Sequence, residues 1–309
     1  GVDGFRCDMV EMVPWQFFKW LIGRIKAEYG NVMFIAEVYN KDLYAKYIHE
    51  VGFDFLYDKS GYYDSVRSAV EGHGTARSLT YNWQFLGDLQ PRMLNFLENH
   101  DEQRFASDFF GREAGRTFAA LGAGLFLNTA PFMVYFGEEI GERGMDAEGF
   151  SGRDGRTSIF DWWTIPSIGR LIRYIHKKEG LTPKETALLE KWRGFLNMAS
   201  SVPAVASGRT FDLCYYNQDS PGFDPDRHFA FLRSGGGEVW LFVCDFSRDA
   251  ALRQEASRPL DLPQCRQRER VSILIPREAV GYLCIKNLDP EKRIEVEVSC
   301  DDCAIVKLN

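Results

Sequence analysis

Two stretches decide the fold: Gly4-Phe-Arg-Cys-Asp8 and Val32-Met-Phe-Ile-Ala-Glu37. Each is a short apolar run ending in a carboxylate, and Glu37 follows Asp8 by 29 residues. Between them Pro14 stands where a helix can begin, and Phe17, Phe18, Leu21, Ile22 and Ile25 follow at helical spacing. Gly30-Asn31 stops that helix. A strand, a helix and a second strand of these lengths make a βα repeat. Continuous apolar strands suit a parallel sheet covered on both faces.

Working outward, similar runs recur at Phe53–Tyr57, Met93–Leu97 and Pro131–Phe136, with helical patterns at Tyr62–Val70, Ala76–Leu86 and Glu113–Leu127. Asp101 and Glu138 stand 37 residues apart. A (β/α)8 barrel spends about 30 residues per unit, so the spacing fits. Gly137–Arg156 shows no period and reads as a long loop, followed by helices at Ile165–His176 and Glu185–Met198. The last places Ala187, Leu188, Trp192, Phe195 and Leu196 near one face. Near Pro203 the texture changes to short β-prone runs: Phe211–Tyr216, His228–Arg233, Val239–Phe246, Val271–Ile275, Gly281–Lys286 and Ile294–Val298. Ser234-Gly-Gly-Gly237 reads as a hairpin turn between two of them. The fold class expected is α/β, a partial (β/α)8 barrel over residues 1–203 followed by an all-β sandwich domain over 204–309.

The composition excludes several classes. The 309 residues are 45% apolar and 14% aromatic, enough for a sizeable core, so the chain is not disordered. A net charge of −7 disfavours nucleic acid as a partner. No long uncharged apolar stretch offers a membrane span. Seven cysteines make no disulfide scaffold. Cys300-Asp-Asp-Cys303 is a lone CxxC to which Cys265 and Cys284 add no second pair, so structural thiols are expected rather than zinc. The chain begins without Met or a signal peptide, as though entering in mid-domain. Five barrel strands leave two open edges, so an upstream segment of the same protein is expected to complete the ring. Without that cover the chain is expected to aggregate.

Catalytic groups of a barrel sit at the C-terminal ends of several strands. Asp8, Glu37 and, after Glu98-Asn99-His100, Asp101 all stand at or just past such ends. Each alone could be a loop carboxylate or a helix cap; together they suggest one mouth. Arg6 lies two residues before Asp8, on the same strand face. A guanidinium there favours the charged acid, as a nucleophile requires, and a structural ion pair remains the alternative.

At these residues the chain resembles the α-amylase family of glycoside hydrolases. Gly4-Phe-Arg-Cys-Asp8, Ile35-Ala-Glu37 and Phe96-Leu-Glu-Asn-His-Asp101 look like that family's fourth, fifth and seventh strand motifs, and Tyr135-Phe-Gly-Glu-Glu139 like its eighth. The resemblance covers about residues 1–200 and implies that the chain carries strands four to eight of the barrel, followed by the family's β-sandwich. It implies a retaining hydrolase of α-glucosidic bonds in starch, glycogen or maltooligosaccharides. Asp8 would be the nucleophile, Glu37 the general acid/base, and Asp101 the carboxylate that grips sugar hydroxyls. Arg6 would accompany the nucleophile, His100 would hydrogen-bond substrate hydroxyls, and Arg104, at a frequently positive position after that motif, is grouped with Arg6, His100 and Tyr39 as substrate-binding. A transglycosylase or isomerase on α-glucosides, and a non-catalytic carbohydrate-binding homologue, are the alternatives; the last would ordinarily have lost an acid.

One departure stands out. Many starch-cleaving members carry Lys-His where this chain has Glu11-Met12. Glu11 could hydrogen-bond a sugar or cap the helix near Pro14, the second being favoured. Tyr39, Tyr81, Trp83, Trp162 and Trp163 are candidate stacking platforms, with Tyr39 placed best and Trp83 expected to pack. No cofactor is needed for the chemistry. The family often binds a structural calcium whose ligands would lie upstream, and Asp146 and Asp154 could hold a separate cation but read more simply as solvated loop charges.

Overall fold

The computed structural model describes residues 1–146, 152–157, 164–246, 268–285 and 288–309. Five strands, β1 (Gly4–Cys7), β2 (Met33–Ala36), β3 (Phe55–Tyr57), β4 (Met93–Phe96) and β5 (Phe132–Met133), form one parallel sheet in chain order. Each forms where the sequence has its apolar run, and each is shorter than the run. From Gly4↔Met33 to Cys7↔Ala36, β1 pairs with β2 at the same 29-residue offset that separates Asp8 from Glu37. The Glu37 N–H donates to the Cys7 carbonyl at 3.1 Å, carrying the ladder one step past the strand.

Helices cover the sheet. Helix α1 (Trp15–Tyr29) begins after Pro14 and buries Phe18 and Ile22 against Phe34, Ala36, Phe53 and Leu56. Helices α2 (Asp64–Glu71) and α3 (Arg77–Leu86) lie between β3 and β4. Helix α4 (Phe118–Phe126), between β4 and β5, buries eight of its nine residues. A helix apolar all round needs cover on both sides. One side comes from α6 (Pro183–Ser201), which follows α5 (Pro166–Lys177) and opens with a capping box between Thr182 and Glu185. Trp192 of α6 is fully buried, and the Phe195 ring lies 5.2 Å from that of Phe126.

The other side of α4 is covered by antiparallel strands. After the turn α7 (Pro203–Ala206), strands β6 (Arg209–Asp212), β7 (His228–Gly235), β8 (Glu238–Asp245) and β11 (Cys303–Lys307) form a four-stranded sheet in the order β11-β8-β7-β6. β9 (Arg268–Leu274) and β10 (Arg293–Ser299) pair separately. β7 and β8 meet at Gly235↔Glu238, leaving Gly236-Gly237 as a two-residue hairpin loop with φ of 62° and 83°. Both positions are left-handed, which suits glycine and confirms the hairpin expected there. Phe242 of β8 stacks on Phe231 of β7 at 5.1 Å and meets Phe126 of α4 at 4.9 Å.

Arg233 of β7 is fully buried beneath this packing without a carboxylate partner among the described residues. It donates to the carbonyls of Phe126, Ala204, Val205 and Gly208 and to Thr210 Oγ1. Helix-end carbonyls left without intrahelical donors satisfy the guanidinium in place of an acid. Burial pulls its pKa down to about 10.

Two expected strands are corrected. Phe211–Tyr216 stops being a strand at Asp212, whose carboxylate accepts the Cys214 N–H at 2.8 Å and turns the chain into the short helix α8 (Cys214–Asn217). Gly281–Lys286 has β-prone letters, but its described part completes the helix α9 (Arg277–Leu283). Ala279 and Leu283 bury one helical face, and Cys284 ends the helix at a left-handed φ of 55°. Pro276 precedes α9 as its N-cap. Cys300 lies in the β10–β11 turn and Cys303 opens β11; Cys7, Cys214, Cys244, Cys284 and Cys303 are free thiols.

Candidate active site

The ends of β1 and β2 form the centre of the site. Asp8 and Glu37 stand abreast, one step beyond the last paired residues, and Arg6 joins them. Its Nη1 hydrogen-bonds Asp8 Oδ1, and its Nη2 lies 3.2 Å from Glu37 Oε1. Burial opposes the Arg6 charge, but the bonds to Asp8 and Tyr57 and the field of Glu37 outweigh it and hold the guanidinium charged. The Tyr57 ring, on β3, lies 5.4 Å from the guanidinium carbon. Glu37 is 5% exposed and Asp8 66% exposed, so one acid is sheltered and the other open.

Glu37 has two further partners. The Met9 N–H donates to Oε2 at 2.9 Å and the Tyr39 hydroxyl to Oε1 at 2.8 Å. Met9 achieves this from left-handed backbone, with φ 41° and ψ 48°, unusual for a residue with a side chain. Such strain belongs where surrounding contacts over-determine a conformation. Burial, then the hydrogen bond and charge of Glu37, then Asp101 and Glu102, push the Tyr39 phenol well above its ordinary range. Tyr57 is also pushed up, chiefly by burial, with Glu37 and Asp101 adding to it and Arg6 opposing. Asp101 therefore acts on the same tyrosines as Glu37, although it comes from the loop after β4.

That loop is held from within. Asn99 Oδ1 accepts the N–H groups of Asp101 and Glu102 at 2.9 and 2.8 Å, a side-chain turn that sets Asp101. His100 Nε2 lies 3.2 Å from Asp101 Oδ2. Arg156 Nε donates to the Asp101 carbonyl at 2.7 Å, and the Arg104 N–H donates to the Gly155 carbonyl at 2.6 Å, pinning the segment 152–157 across the loop.

Arg104 requires a correction, because a substrate contact does not fit its position. It is fully buried, with Nη1 on Glu98 Oε2 at 2.8 Å, Nε on Thr157 Oγ1 at 2.9 Å and Nη2 on the Phe136 carbonyl at 2.9 Å. Glu98 and Glu138 are buried beside it, and burial pushes both carboxyls up. Arg104 thus compensates buried charge behind the site.

Glu11 does not cap α1, whose N-cap is Pro14 without a side-chain hydrogen bond. Its carboxylate accepts the Tyr39 N–H at 2.7 Å and the Asn40 N–H at 3.3 Å, reaching to the turn after β2. Neither Asn99 as a turn-former nor Arg156 as a clamp was singled out from sequence. An Asn two residues before a key acid is the local signal for the first, whereas no local signal exists for the second, 55 residues away. Lys59 stands at the rim, 2.9 Å from Asp64 and 3.6 Å from Glu102. Tyr81 is exposed on α3, and Trp83 packs against the core. Trp162 and Trp163 lie outside the described residues.

Asp154 accepts from the Arg156 backbone at 3.1 Å, and Asp146 is exposed. Among the described residues His228, Asp245 and Glu269 are the one group with three ligand atoms close enough for a single ion. Yet His228 Nδ1 accepts the Asp224 N–H at 2.9 Å, so in the neutral ring the proton sits on Nε2, which then offers no lone pair to a metal.

No protein-family model matches the chain. The α-amylase MalA of Haloarcula japonica is 33% identical over 155 residues, covering 46% of this chain and 21% of that protein. Among solved structures, the cyclic α-maltosyl-(1→6)-maltose hydrolase of Arthrobacter globiformis in complex with that sugar has a TM-score of 0.64 at 19% identity, covering 99% of this chain and 56% of its own. An Anoxybacillus α-amylase gives 0.63 at 18%, covering 99% and 58%. The α-amylase of Geobacillus thermoleovorans complexed with acarbose gives 0.59 at 19%, covering 99% and 60%. At such identities the structures speak for the fold, a partial barrel followed by β structure. The chain spans about a fifth of the curated relative and somewhat more than half of the solved ones. With the strand motifs, these likenesses make the chain similar to glycoside hydrolases of the α-amylase family.

Proposed function

We propose that this chain carries the catalytic acids of a retaining glycoside hydrolase acting on α-glucosidic bonds of starch, glycogen or maltooligosaccharides. One observation supports this above the rest: Asp8 and Glu37 stand in register on neighbouring strands and share the Arg6 guanidinium. Neighbouring strands lie about 4.8 Å apart, close to the roughly 5–5.5 Å separation of retaining carboxylates and short of the ~6.5–9.5 Å that admits an inverting water. On this reading β1, β2 and β4 correspond to barrel strands four, five and seven. Residues 1–203 are the barrel part and 204–309 an accessory β-sandwich, with an upstream segment of the same protein as partner.

The reaction then divides between the acids. Protonated Glu37 gives its proton to the glycosidic oxygen while an Asp8 carboxylate oxygen attacks the anomeric carbon, and the bond to the leaving sugar breaks. Ionised Glu37 next takes a proton from water. The water oxygen attacks the same carbon, the ester to Asp8 breaks, and both acids return to their starting forms. Asp101 and His100 would hold ring hydroxyls, and Tyr39 would offer a face to a sugar. The residues present supply this chemistry without a metal, and no step is assigned to calcium.

Proton NMR of a maltooligosaccharide digest tests the reading. It predicts that newly released reducing ends appear first as the α-anomer, with activity lost in Glu37→Gln and Asp8→Asn. First appearance of the β-anomer, or activity surviving either substitution, would overturn it.

A further inference from the structure

We propose that Glu11 is a positioning residue, holding the turn after β2 so that the Tyr39 hydroxyl is delivered to Glu37. The inference rests on the reading of Glu37 as acid/base. Three elements join in one chain of contacts. The Glu11 carboxylate, on the short turn Val10–Met12, accepts the N–H groups of Tyr39 and Asn40, and the Tyr39 hydroxyl donates to Glu37 at 2.8 Å.

The turn that carries Glu11 is anchored in the core. Val10 beside it is fully buried, and its carbonyl accepts the buried Tyr47 hydroxyl at 3.3 Å. The Tyr39 side chain is held at its tip by the hydroxyl bond to Glu37. Tyr39 is 44% exposed, and Lys59 Nζ stands 5.6 Å from the centre of its ring. A half-exposed aromatic keeps one rotamer only if its backbone is held, and here a carboxylate on two N–H groups does so. Asn40 extends the same turn by accepting the Asp42 N–H at 3.0 Å.

The consequence falls on Glu37. Its carboxylate accepts the Tyr39 hydroxyl and the Met9 N–H and lies 3.2 Å from Arg6 Nη2, whose other arm holds Asp8. Removing the Tyr39 donor withdraws support from the carboxylate alone. The alkaline limb of kcat/KM, which reports loss of the catalytic proton, then moves to higher pH.

Two measurements test this on the protein that carries the chain. With 13Cζ-labelled tyrosine, the Tyr39 resonance is identified by its absence in Tyr39→Phe. In the wild type it stays protonated to the top of the titration. In Glu11→Ala it ionises at least about one pH unit lower, towards the ordinary phenol value near 10. Glu11→Gln, which keeps the shape and one acceptor, falls between. In the pH profile, Glu11→Ala and Tyr39→Phe each move the alkaline limb upward, and the double variant moves it no further than Tyr39→Phe. An unmoved Tyr39 resonance in both Glu11 variants, or additive limb shifts, overturns the proposal. If Glu37→Gln remains active, the acid/base reading fails by itself, while the tyrosine titration still decides whether Glu11 sets Tyr39.

Discussion

Arg6 Nη2 and Glu37 Oε1 lie 3.2 Å apart across two parallel strands, while the other arm of the same guanidinium holds Asp8. One planar group thus fixes the relative placement of two acids from different strands. A lysine carries the same charge but offers one point instead of a fork. Arg6→Lys is therefore expected to lower kcat by about 10²-fold or more with a small change in KM, since misplacement of reacting groups by an ångström costs that much. Steady-state kinetics on maltooligosaccharides checks this; an unchanged kcat would mean that Arg6 does not organise the pair.

Loss of either acid should be far more damaging. Asp8→Asn and Glu37→Gln are each expected to reduce kcat by at least about 10³-fold, and the double variant should lose little more, because the two groups act as a unit. Additive losses in the double variant would argue that they serve separate steps.

Behind the site, Arg104 is the buried counter-charge to Glu98 and sits beside Glu138. Arg104→Met leaves buried carboxyls without their cation and should destabilise the fold by about 3–5 kcal/mol. Urea unfolding followed by circular dichroism measures this. A loss under about 1 kcal/mol would show that the carboxyls are neutral without Arg104.

Arg233 carries a parallel expectation for the contact between α4 and the antiparallel sheet. Arg233→Lys supplies fewer donors to the five acceptors now satisfied and should cost about 2–4 kcal/mol. The same unfolding experiment reads it, and a wild-type midpoint would refute the anchoring role.

His228 gives the sheet a pH dependence. Burial pulls its pKa down to about 4 from an ordinary 6.5; Glu269 and Asp224 oppose this, Arg227 adds to it, and Asp245 lies 3.9 Å away. Below the unfolded value the unfolded chain binds a proton that the folded chain refuses. The stabilisation is therefore complete above about pH 6.5 and is lost as pH falls towards 4, by about 3 kcal/mol at most. His228→Asn keeps an acceptor for the Asp224 N–H and does not titrate. Its unfolding free energy should fall less than that of the wild type between pH 7 and 4.5, and equal losses would contradict the assignment.

Much of this architecture was legible in the sequence because barrel strands are apolar, short and regularly spaced. The offset between Asp8 and Glu37 is the strand register itself, so convergence of the two acids followed from spacing. The conversion of Phe211–Tyr216 into a strand and a helical turn was hidden, because a side-chain bond from Asp212 to Cys214 decides it. Region Gly281–Lys286 misled because Ala279 and Leu283 set a helical period that begins upstream of the β-prone letters. Arg104 was misjudged because a charge beside a catalytic motif reads alike whether it faces the cavity or the core. Glu11 reaching Tyr39, and Arg156 reaching Asp101, are contacts between distant loops that no local pattern encodes.

The central claim is that Asp8 becomes covalently bound to the sugar while Glu37 moves the proton. Trapping with a 5-fluoro-α-glucosyl fluoride tests it most directly, followed by peptide mass spectrometry of the labelled protein. The account predicts one glycosyl group per active site on the peptide containing Asp8, with no label in Asp8→Asn. Label on any other residue, or labelling that persists in Asp8→Asn, would contradict it.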